Sequence, residues 1–266
     1  MIVDGKKIAA DILREVGSGI TALGRPLKLG VLFVAPDFAT QKFIAIKEKR
    51  ASELGVEVVK RELSAEVTTE EAIAAAHELC LETDGVIVQL PFSGSVGVQA
   101  LLAAIPPSKD VDGLGSERIM LSPVIAAFEI ILLENGVDPK GKTAVVVGQG
   151  NLVGKPAASW LASVGAAVVV VEEGDDVEAQ TKEADIVVLG AGHPGLLTPK
   201  MVKEGVVVLD AGTSESSGKL AGDADPAVAD KASLFTPVPG GIGPVAVAMI
   251  FRNLLLLAQK AKAGSQ

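Results

Sequence analysis

The stretch Thr143-Ala-Val-Val-Val-Gly-Gln-Gly-Asn-Leu-Val-Gly-Lys-Pro156 decides the fold of this chain. It opens with a short run of apolar, mostly β-branched residues, has glycines at 148, 150 and 154, and ends where a helix is expected to start. Glycines allow a backbone to approach a pyrophosphate closely, and the N-terminus of the following helix offers it unpaired N–H groups. The stretch therefore predicts a buried strand, a glycine turn and a helix that bind a nicotinamide or flavin nucleotide.

A second apolar run, Val168–Val171, leads into Glu172 and Glu173. A carboxylate at the end of the second strand of such a unit can accept hydrogen bonds from ribose hydroxyls. The glycine spacing is one residue longer than the usual pattern, so an ordinary strand-to-helix turn is the alternative. The alternative for the two glutamates is that they face solvent. The residues predicted to contact the nucleotide are Gly148, Gln149, Gly150, Val153, Gly154, Glu172, Glu173, Gly190 and Thr213.

Apolar periodicity alternates between helix and strand along the whole chain, which is typical of an α/β fold with parallel sheets. The predicted strands cover residues 27–34, 56–59, 85–90, 143–147, 167–171, 185–189 and 206–209. They fall into two groups separated by a long apolar helix from about residue 123 to 134. We therefore predict two α/β lobes, of which the second has a Rossmann-type parallel sheet.

The composition argues against several classes of function. A net charge of −9 disfavours a nucleic-acid partner, which needs a basic surface. Cys80 is the single cysteine, and His77 and His193 are the two histidines, so we expect no metal site. No apolar run approaches the ~20 residues of a membrane span, and the N-terminus does not look like a signal peptide. We therefore expect a cytoplasmic protein without a membrane partner.

Three polar residues of the first half stand on a helix, at the end of a strand and in a loop. Lys47 lies on the second helix, Gln89 follows a strand, and Asp112 lies in a loop. A lysine beside an apolar wall can act as acid or base, and a glutamine can orient it without adding charge. An aspartate can accept from two adjacent N–H donors of a heterocycle. Taken alone, Lys47 among its charged neighbours also fits a solvated helix face.

Seven segments of the chain, in order, resemble the bifunctional methylenetetrahydrofolate dehydrogenase/methenyltetrahydrofolate cyclohydrolase family. They are Asp4-Gly-Lys, Val88-Gln-Leu-Pro91, Lys109-Asp-Val-Asp-Gly113, Val153-Gly-Lys-Pro156, Ala184-Asp-Ile-Val, Gly222-Asp and Thr236-Pro-Val-Pro-Gly-Gly-Ile-Gly-Pro244. The last segment is the most specific. The resemblance implies a folate-binding lobe of residues 1–122 joined by a returning C-terminal helix, 245–266, a dinucleotide-binding lobe of residues 123–244, and a homodimer.

The resemblance also implies roles for individual residues. Lys47, Gln89 and Asp112 take the positions of the catalytic residues, and Asp112 is expected to bind the N3–H and 2-amino edge of the pterin. Phe43 and the turn Pro239-Gly240-Gly241 are expected to contact the tetrahydrofolate derivative. The implied reactions are oxidation of 5,10-methylenetetrahydrofolate by a nicotinamide nucleotide and hydrolysis of the 5,10-methenyl product to 10-formyltetrahydrofolate.

Two positions suggest which nucleotide is used. Relatives that prefer NADP carry Gly-Arg-Ser at the glycine turn and a serine after the next strand, whereas Gln149 and Glu173 stand there in this chain. A carboxylate accepts from a ribose 2′-hydroxyl but repels a 2′-phosphate, and the missing arginine removes the compensating charge. We therefore expect NAD to be preferred over NADP by at least about tenfold.

The chain also departs from the family pattern. Phe43 stands where the family has a tyrosine, and the loop between Asp112 and Pro123 is shorter than is typical. Ser122-Pro-Val-Ile and Val245-Ala246 also replace family segments. These departures leave open a dehydrogenase with reduced or lost cyclohydrolase activity, and a nucleotide-binding protein that does not turn over. A reductase similar to shikimate dehydrogenase fits the length but leaves the Gln-Leu-Pro and Pro-Val-Pro-Gly-Gly runs unexplained.

Overall fold

The computed structural model describes residues 1–34, 38–92, 95–216 and 219–263. In chain order its elements are α1 (Gly5–Leu23), β1 (Lys28–Val34), α2 (Phe38–Leu54), β2 (Glu57–Leu63), α3 (Thr69–Glu82), β3 (Gly85–Val88), α4 (Val98–Ala104), α5 (Pro123–Glu134), β4 (Thr143–Val147), α6 (Gly154–Ser163), β5 (Ala167–Val171), α7 (Val177–Thr181), β6 (Ile186–Leu189), β7 (Val207–Asp210), β8 (Ser214–Ser216), β9 (Lys219–Ala221), β10 (Leu234–Phe235) and α8 (Ile242–Ala263). The alternation of helix and strand is as predicted, whereas β8, β9 and β10 were not predicted.

The chain folds into two compact units, each built from separate segments. The first unit comprises residues 10–123 and 247–266, and the second comprises residues 1–9 and 124–246. The sequence prediction had placed the opening residues in the first lobe. In the structure Ile2 forms a parallel bridge with Phe235, whose N–H donates to the carbonyl of Met1 at 2.9 Å. These main-chain bonds attach the N-terminal residues to the end of the second sheet.

The first unit has a parallel sheet in the order β2-β1-β3. All but the first residue of β1 are buried, as expected for the central strand of a sheet covered on both faces. Residues 109–111 extend the sheet beside β3, because the N–H of Val86 donates to the carbonyl of Lys109 at 2.7 Å. The N–H of Val111 donates back to the carbonyl of Val86 at 3.3 Å. This pairing brings the Asp110–Asp112 segment to the edge where Gln89 follows β3.

The C-terminal helix α8 packs within the first unit, which confirms its predicted return. Leu255 lies against α1 so closely that a Cβ at Gly19 would stand 2.4 Å from its Cδ2 atom. Among the described residues, α8 is the one helix long and apolar enough to cross a membrane, with a mean hydropathy of 1.6. However, 61% of that apolar window is buried inside the protein, as in the core helix of a folded domain.

The second unit has a five-stranded parallel sheet in the order β10-β7-β6-β4-β5. Counted along the chain, these strands have the spatial order 2-1-3-4-5 of a doubly wound sheet. The strand order reverses between β4 and β6, and ligands of such sheets bind at the carboxyl ends of the strands beside this reversal. The glycine turn follows β4 directly, and Gly190 follows β6. The predicted Rossmann-type lobe is therefore confirmed.

Candidate active site and nucleotide site

Lys47 and Gln89 are joined by a direct hydrogen bond in the first unit. The Nζ atom of Lys47 donates to Oε1 of Gln89 at 2.5 Å, and Nε2 of Gln89 donates to the carbonyl of Leu90 at 2.8 Å. Gln89 is buried, and its backbone N–H donates to the carbonyl of Leu32 in β1 at 2.8 Å. The glutamine is thus fixed at the carboxyl edge of the sheet and orients the ammonium group. Lys47 is partly buried and does not lie on a fully solvated helix face.

Lys47 and Asp112 influence each other's protonation. Burial lowers the pKa of Lys47, and the negative charge of Asp112 acts in the opposite direction. Burial raises the pKa of Asp112 to about 7, while the positive charge of Lys47 opposes this rise and Asp110 adds to it. Perturbed ionisable groups that face each other are typical of sites that move protons. The structure therefore brings Lys47, Gln89 and Asp112 together.

Asp110, which the sequence analysis passed over, supports the loop that carries Asp112. Its Oδ1 accepts from the N–H of Gly113 at 2.9 Å, and its Oδ2 accepts from the N–H of Gly115 at 2.8 Å. Gly113 has φ of +60°, and a Cβ there would stand 2.6 Å from the carbonyl oxygen of Met120. An aspartate followed by glycines is a recognisable turn signal that could have identified Asp110. Asp110 therefore caps this loop, while among the described residues the Asp112 carboxyl makes no hydrogen bond.

Phe43 lies one helical turn before Lys47 on α2, so both side chains project from the same face of the helix. Its side chain is 41% exposed. The phenyl ring is therefore not enclosed in a repacked core. A hydroxyl added to this ring would have access to solvent.

The glycine turn of the second unit is closely packed against the loop after β6. A Cβ at Gly154 would stand 1.9 Å from the carbonyl oxygen of Gly148, and a Cβ at Gly148 would stand 2.8 Å from that of Gly190. A Cβ at Gly150, by contrast, would have its nearest neighbour at 4.0 Å. Among the described residues, no side chain caps the N-terminus of α6. The N–H of Lys155 donates to the carbonyl of Gly150 at 3.1 Å and Pro156 has no N–H, so the N–H of Gly154 is the one left for a ligand in this turn. This cradle of backbone fits the pyrophosphate of a nicotinamide nucleotide.

The other predicted nucleotide contacts differ in how firmly they are held. Nε2 of Gln149 donates to the carbonyl of Gly148 at 3.0 Å, so this side chain folds back on the turn. Val153 precedes α6 and packs on Gly190, since a Cβ at Gly190 would stand 2.7 Å from its Cγ1 atom. Thr213 is exposed in the connection after β7.

The turn Pro239-Gly240-Gly241 lies in the second unit. Gly240 has φ of +113°, and the N–H of Gly241 donates to the carbonyl of Pro237 at 2.7 Å. A Cβ at Gly5 would stand 1.9 Å from the carbonyl oxygen of Gly241. Only a glycine at position 5 allows the N-terminal segment to pass this turn. Two of the seven matched segments are thus in contact.

The comparison with protein families agrees with this arrangement. Residues 3–112 match the catalytic domain of tetrahydrofolate dehydrogenase/cyclohydrolase, and residues 124–262 match its NAD(P)-binding domain. The chain belongs to this family. The bifunctional protein FolD of Halothermothrix orenii is 38% identical over 271 residues, which cover 95% of both proteins. FolD of a Staphylococcus aureus strain is 36% identical over 282 residues, which cover 99% of this chain and 98% of the relative.

Solved structures give the same result. Bifunctional FolD from Campylobacter jejuni has a TM-score of 0.93 at 33% identity, and covers 98% of this chain and 99% of its own. The Trypanosoma brucei enzyme, complexed with NADP and an inhibitor, has a TM-score of 0.92 at 30% identity over 98% of both chains. The predicted family and fold are confirmed. The chain is a bifunctional methylenetetrahydrofolate dehydrogenase and methenyltetrahydrofolate cyclohydrolase.

The comparisons do not favour the three alternative functions. A chorismate mutase/shikimate 5-dehydrogenase fusion from Clostridium acetobutylicum has a TM-score of 0.53 at 12% identity, which shows a shared fold alone. The relatives that match nearly the whole chain are named as bifunctional proteins. Neither a dehydrogenase without cyclohydrolase activity nor a protein without turnover is favoured.

The prediction that NAD is preferred over NADP is wrong. The similar T. brucei enzyme is complexed with NADP, and the matching family model describes an NAD(P)-binding domain. The structure gives the physical reason, because Glu172 and Glu173 are exposed. The backbone N–H of Glu172 donates to Oδ2 of Asp175 at 2.8 Å, and its carbonyl accepts from the N–H of Asp175 at 3.2 Å. In the described part of the chain nothing fixes either glutamate carboxylate beside a ribose.

Proposed function

We propose that Lys47, Gln89 and Asp112 form the catalytic site for both reactions, and that NADP is the nucleotide. The observation that carries this proposal is the hydrogen bond from Lys47 to the buried amide of Gln89, with the perturbed carboxyl of Asp112 nearby. Asp112 binds the donor edge of the pterin through its two oxygens. The Gly148–Gly154 turn and the N-terminus of α6 would hold the nucleotide, which would supply the hydride acceptor for oxidation of the one-carbon bridge.

In the dehydrogenase reaction the bridge between N5 and N10 loses a hydride and becomes a methenyl cation. A protonated lysine beside this bridge would repel the positive charge that develops. Burial lowers the pKa of Lys47 and so favours its neutral form. Gln89 holds the amine in place without adding a charge of its own. These residues thereby reduce the electrostatic cost of forming the cation.

In the cyclohydrolase reaction water adds to the methenyl carbon, and Lys47 takes a proton from that water. The C–N5 bond then breaks as the new hydroxyl group loses its proton and becomes the formyl carbonyl. Lys47 returns a proton to N5, and one proton is released overall. Because burial lowers the pKa of Lys47, its amine accepts and returns this proton more readily than the amine of an exposed lysine.

The first test is the substitution Lys47→Met, which keeps the length of the side chain but removes its proton acceptor. We expect the cyclohydrolase rate, followed as the decay of methenyl absorbance, to fall by about 100-fold or more. NADP binding by the second unit should remain. Lys49→Met is the matched control, because Lys49 is exposed on the same helix and should not affect either activity. Undiminished hydrolysis in the Lys47 variant would contradict the proposed role.

The choice of nucleotide is tested on the unmodified enzyme. The NADP complex of the T. brucei relative supports NADP. Initial rates of methenyl formation with NADP and with NAD give kcat/KM for each. A larger kcat/KM with NADP is expected, and a larger value with NAD would contradict the proposal.

The resemblance also supports a homodimer located in the cytoplasm. Light scattering should then give twice the 27.1 kDa mass of the chain. A monomeric mass would contradict the dimer. Cell fractionation with detection of the native protein tests the location, and recovery with the membranes would contradict it.

A further inference from the structure

A pair of buried carboxylates lies at the carboxyl end of the second sheet. Neither belongs to the residues predicted for the folate site or the nucleotide site. Asp210 is the last residue of β7, and Asp223 follows the β8–β9 hairpin. The side chain of Asp210 is 1% exposed and that of Asp223 is 0% exposed. Oδ2 of Asp223 accepts from the N–H of Ala191 at 2.8 Å and from the N–H of Gly192 at 3.0 Å.

Asp210 fixes the backbone that carries Asp223. Its Oδ1 accepts from the N–H of Asp223 at 3.2 Å and from that of Gly212 at 2.9 Å, and its Oδ2 accepts from that of Ala224 at 2.9 Å. A Cβ at Gly212 would stand 2.3 Å from Cγ of Asp223, so this carboxyl group packs directly against backbone. Asp223 is therefore held rigidly and can hold the loop after β6 in turn.

That loop forms one wall of the glycine turn. A Cβ at Gly148 would stand 2.8 Å from the carbonyl oxygen of Gly190 and 3.0 Å from Cα of Ala191. Gly192 has φ of +73°, a conformation that glycine adopts readily, and in it the N–H of Gly192 is directed at Oδ2 of Asp223. A shift of Ala191 or Gly192 would be transmitted to the turn through these contacts.

The burial of Asp223 has a cost that ordinary packing does not explain. Its Oδ1 is buried without a hydrogen-bond partner among the described residues. An unpaired buried oxygen beside a second carboxylate is unfavourable, and such groups in folded proteins call for a specific role. A role in shaping the nucleotide site accounts for this cost.

We propose that Asp223 is a positioning residue for the nucleotide, which fixes the N–H groups of Ala191 and Gly192 and so holds the loop after β6 against the glycine turn. This inference rests on the proposed nucleotide site at that edge of the sheet. It assigns to the Gly222-Asp223 segment a part in the dehydrogenase reaction and none in the cyclohydrolase reaction. The cyclohydrolase reaction consumes no nucleotide, so its rate is an internal control for effects that do not involve nucleotide binding.

The test compares Asp223→Ala, Asp223→Asn and a control, Asp185→Ala. Asp185 also accepts from a backbone N–H of the same sheet, that of Thr143 at 2.9 Å, but at the amino end of β4. Each variant is measured for NADP affinity by calorimetry, for KM and kcat of the dehydrogenase, for methenyl hydrolysis and for Tm. Supplying methenyltetrahydrofolate directly makes the hydrolysis assay independent of NADP.

We expect Asp223→Ala to raise the Kd and KM of NADP by about tenfold, with hydrolysis unchanged. Asp223→Asn keeps an acceptor oxygen and should bind NADP close to the unmodified enzyme, which also covers the case in which the alanine variant does not fold. Asp185→Ala should alter Tm alone. Unchanged NADP affinity in Asp223→Ala would overturn the inference. An equal fall of the dehydrogenase and cyclohydrolase activities, together with a lower Tm, would also overturn it. Failure of the unmodified enzyme to bind NADP would instead contradict the proposed function.

Discussion

Substitutions of two aspartates that stand two residues apart are expected to change stability in opposite directions. The pKa of Asp112 is raised from 3.8 to about 7 in the folded protein. Between about pH 4 and pH 7 the folded state therefore binds more protons than the unfolded state, so this group lowers stability as the pH rises. Asp112→Asn removes the cost of burying the charge. We expect its Tm to exceed that of the unmodified enzyme at pH 8, with the difference disappearing near pH 4.

Asp110→Ala is the matched comparison for this prediction. It leaves the buried N–H groups of Gly113 and Gly115 without their acceptors, which should lower the free energy of unfolding by about 2 to 4 kcal/mol. Thermal melts of both variants over the same pH range provide the measurement. If Asp112→Asn also lowers Tm at pH 8, Asp112 supports the loop and its assignment to the pterin loses its basis.

Phe43→Tyr should be tolerated, because Phe43 is 41% exposed and the added hydroxyl need not be buried without a partner. The residue lies one turn from Lys47, so the new hydroxyl can enter the polar network around the amine. We expect Tm to stay unchanged and the ratio of cyclohydrolase to dehydrogenase rates to change. Both rates and a melt of this one variant test the expectation. Identical rates would place the side chain outside the site.

In the glycine turn, Gly154 is required for folding, whereas Gly150 is expected to be required for nucleotide binding. A Cβ at Gly154 collides with backbone, whereas the site of a Cβ at Gly150 is open and its φ is not in the left-handed region. Gly150→Ala should therefore fold with an unchanged Tm. Because the added methyl group occupies space that the pyrophosphate needs, we expect the Kd of NADP to rise about tenfold. Calorimetry gives this Kd, and an unchanged value would show that the nucleotide does not approach Gly150.

The sequence predicted the buried strands well and the short or exposed strands poorly. Continuous apolar runs such as β4 and β6 identify central strands of parallel sheets. β2 was predicted only to Val59 but continues to Leu63, because Lys60, Arg61 and Glu62 form the polar part of an edge strand. The two residues of β10 carry no periodicity at all. Pairing with distant strands decides such segments, and one sequence does not reveal it.

Some residues of the two sites are recognisable in the sequence, whereas others are not. Gln89 could be found from the sequence because a polar residue directly after an apolar strand is conspicuous. Asp223 holds Ala191 and Gly192, which lie about thirty residues earlier, and no local pattern indicates that contact. The likeness of Asp110 and Asp112 in sequence also hides their different surroundings. Local patterns therefore find side chains at element ends, while the contacts that orient them come from the tertiary fold.

Each end of the chain belongs to a unit that consists mainly of residues far away in sequence. Residues 1–9 join the second unit and residues 247–266 join the first. The contact of Gly5 with Gly241 accounts for the glycine in the opening segment. The sequence prediction placed the C-terminal helix correctly by family resemblance, but periodicity within the first residues could not show which sheet they would extend.

Asn253 connects α8 to the loop that contains Asp112. Its Nδ2 donates to the carbonyls of Val111 at 2.9 Å and Leu121 at 3.0 Å, at the two ends of that loop. Asn253→Ala leaves both carbonyls unpaired and should cost about 2 to 4 kcal/mol of stability. Because the loop carries Asp112, the KM for the folate should also rise, whereas the Kd of NADP should not.

Arg252→Ala is the control for this variant, because Arg252 is the neighbouring residue of the same helix and is exposed. Urea unfolding, folate KM and NADP affinity are compared for the two variants and the unmodified enzyme. A loss of stability in Asn253→Ala with an unchanged folate KM would mean that α8 supports the fold of the first unit without setting the position of Asp112. No other described side chain donates to the carbonyls of both Val111 and Leu121. A rise in folate KM in Asn253→Ala but not in Arg252→Ala would therefore show that α8 fixes the two ends of this loop.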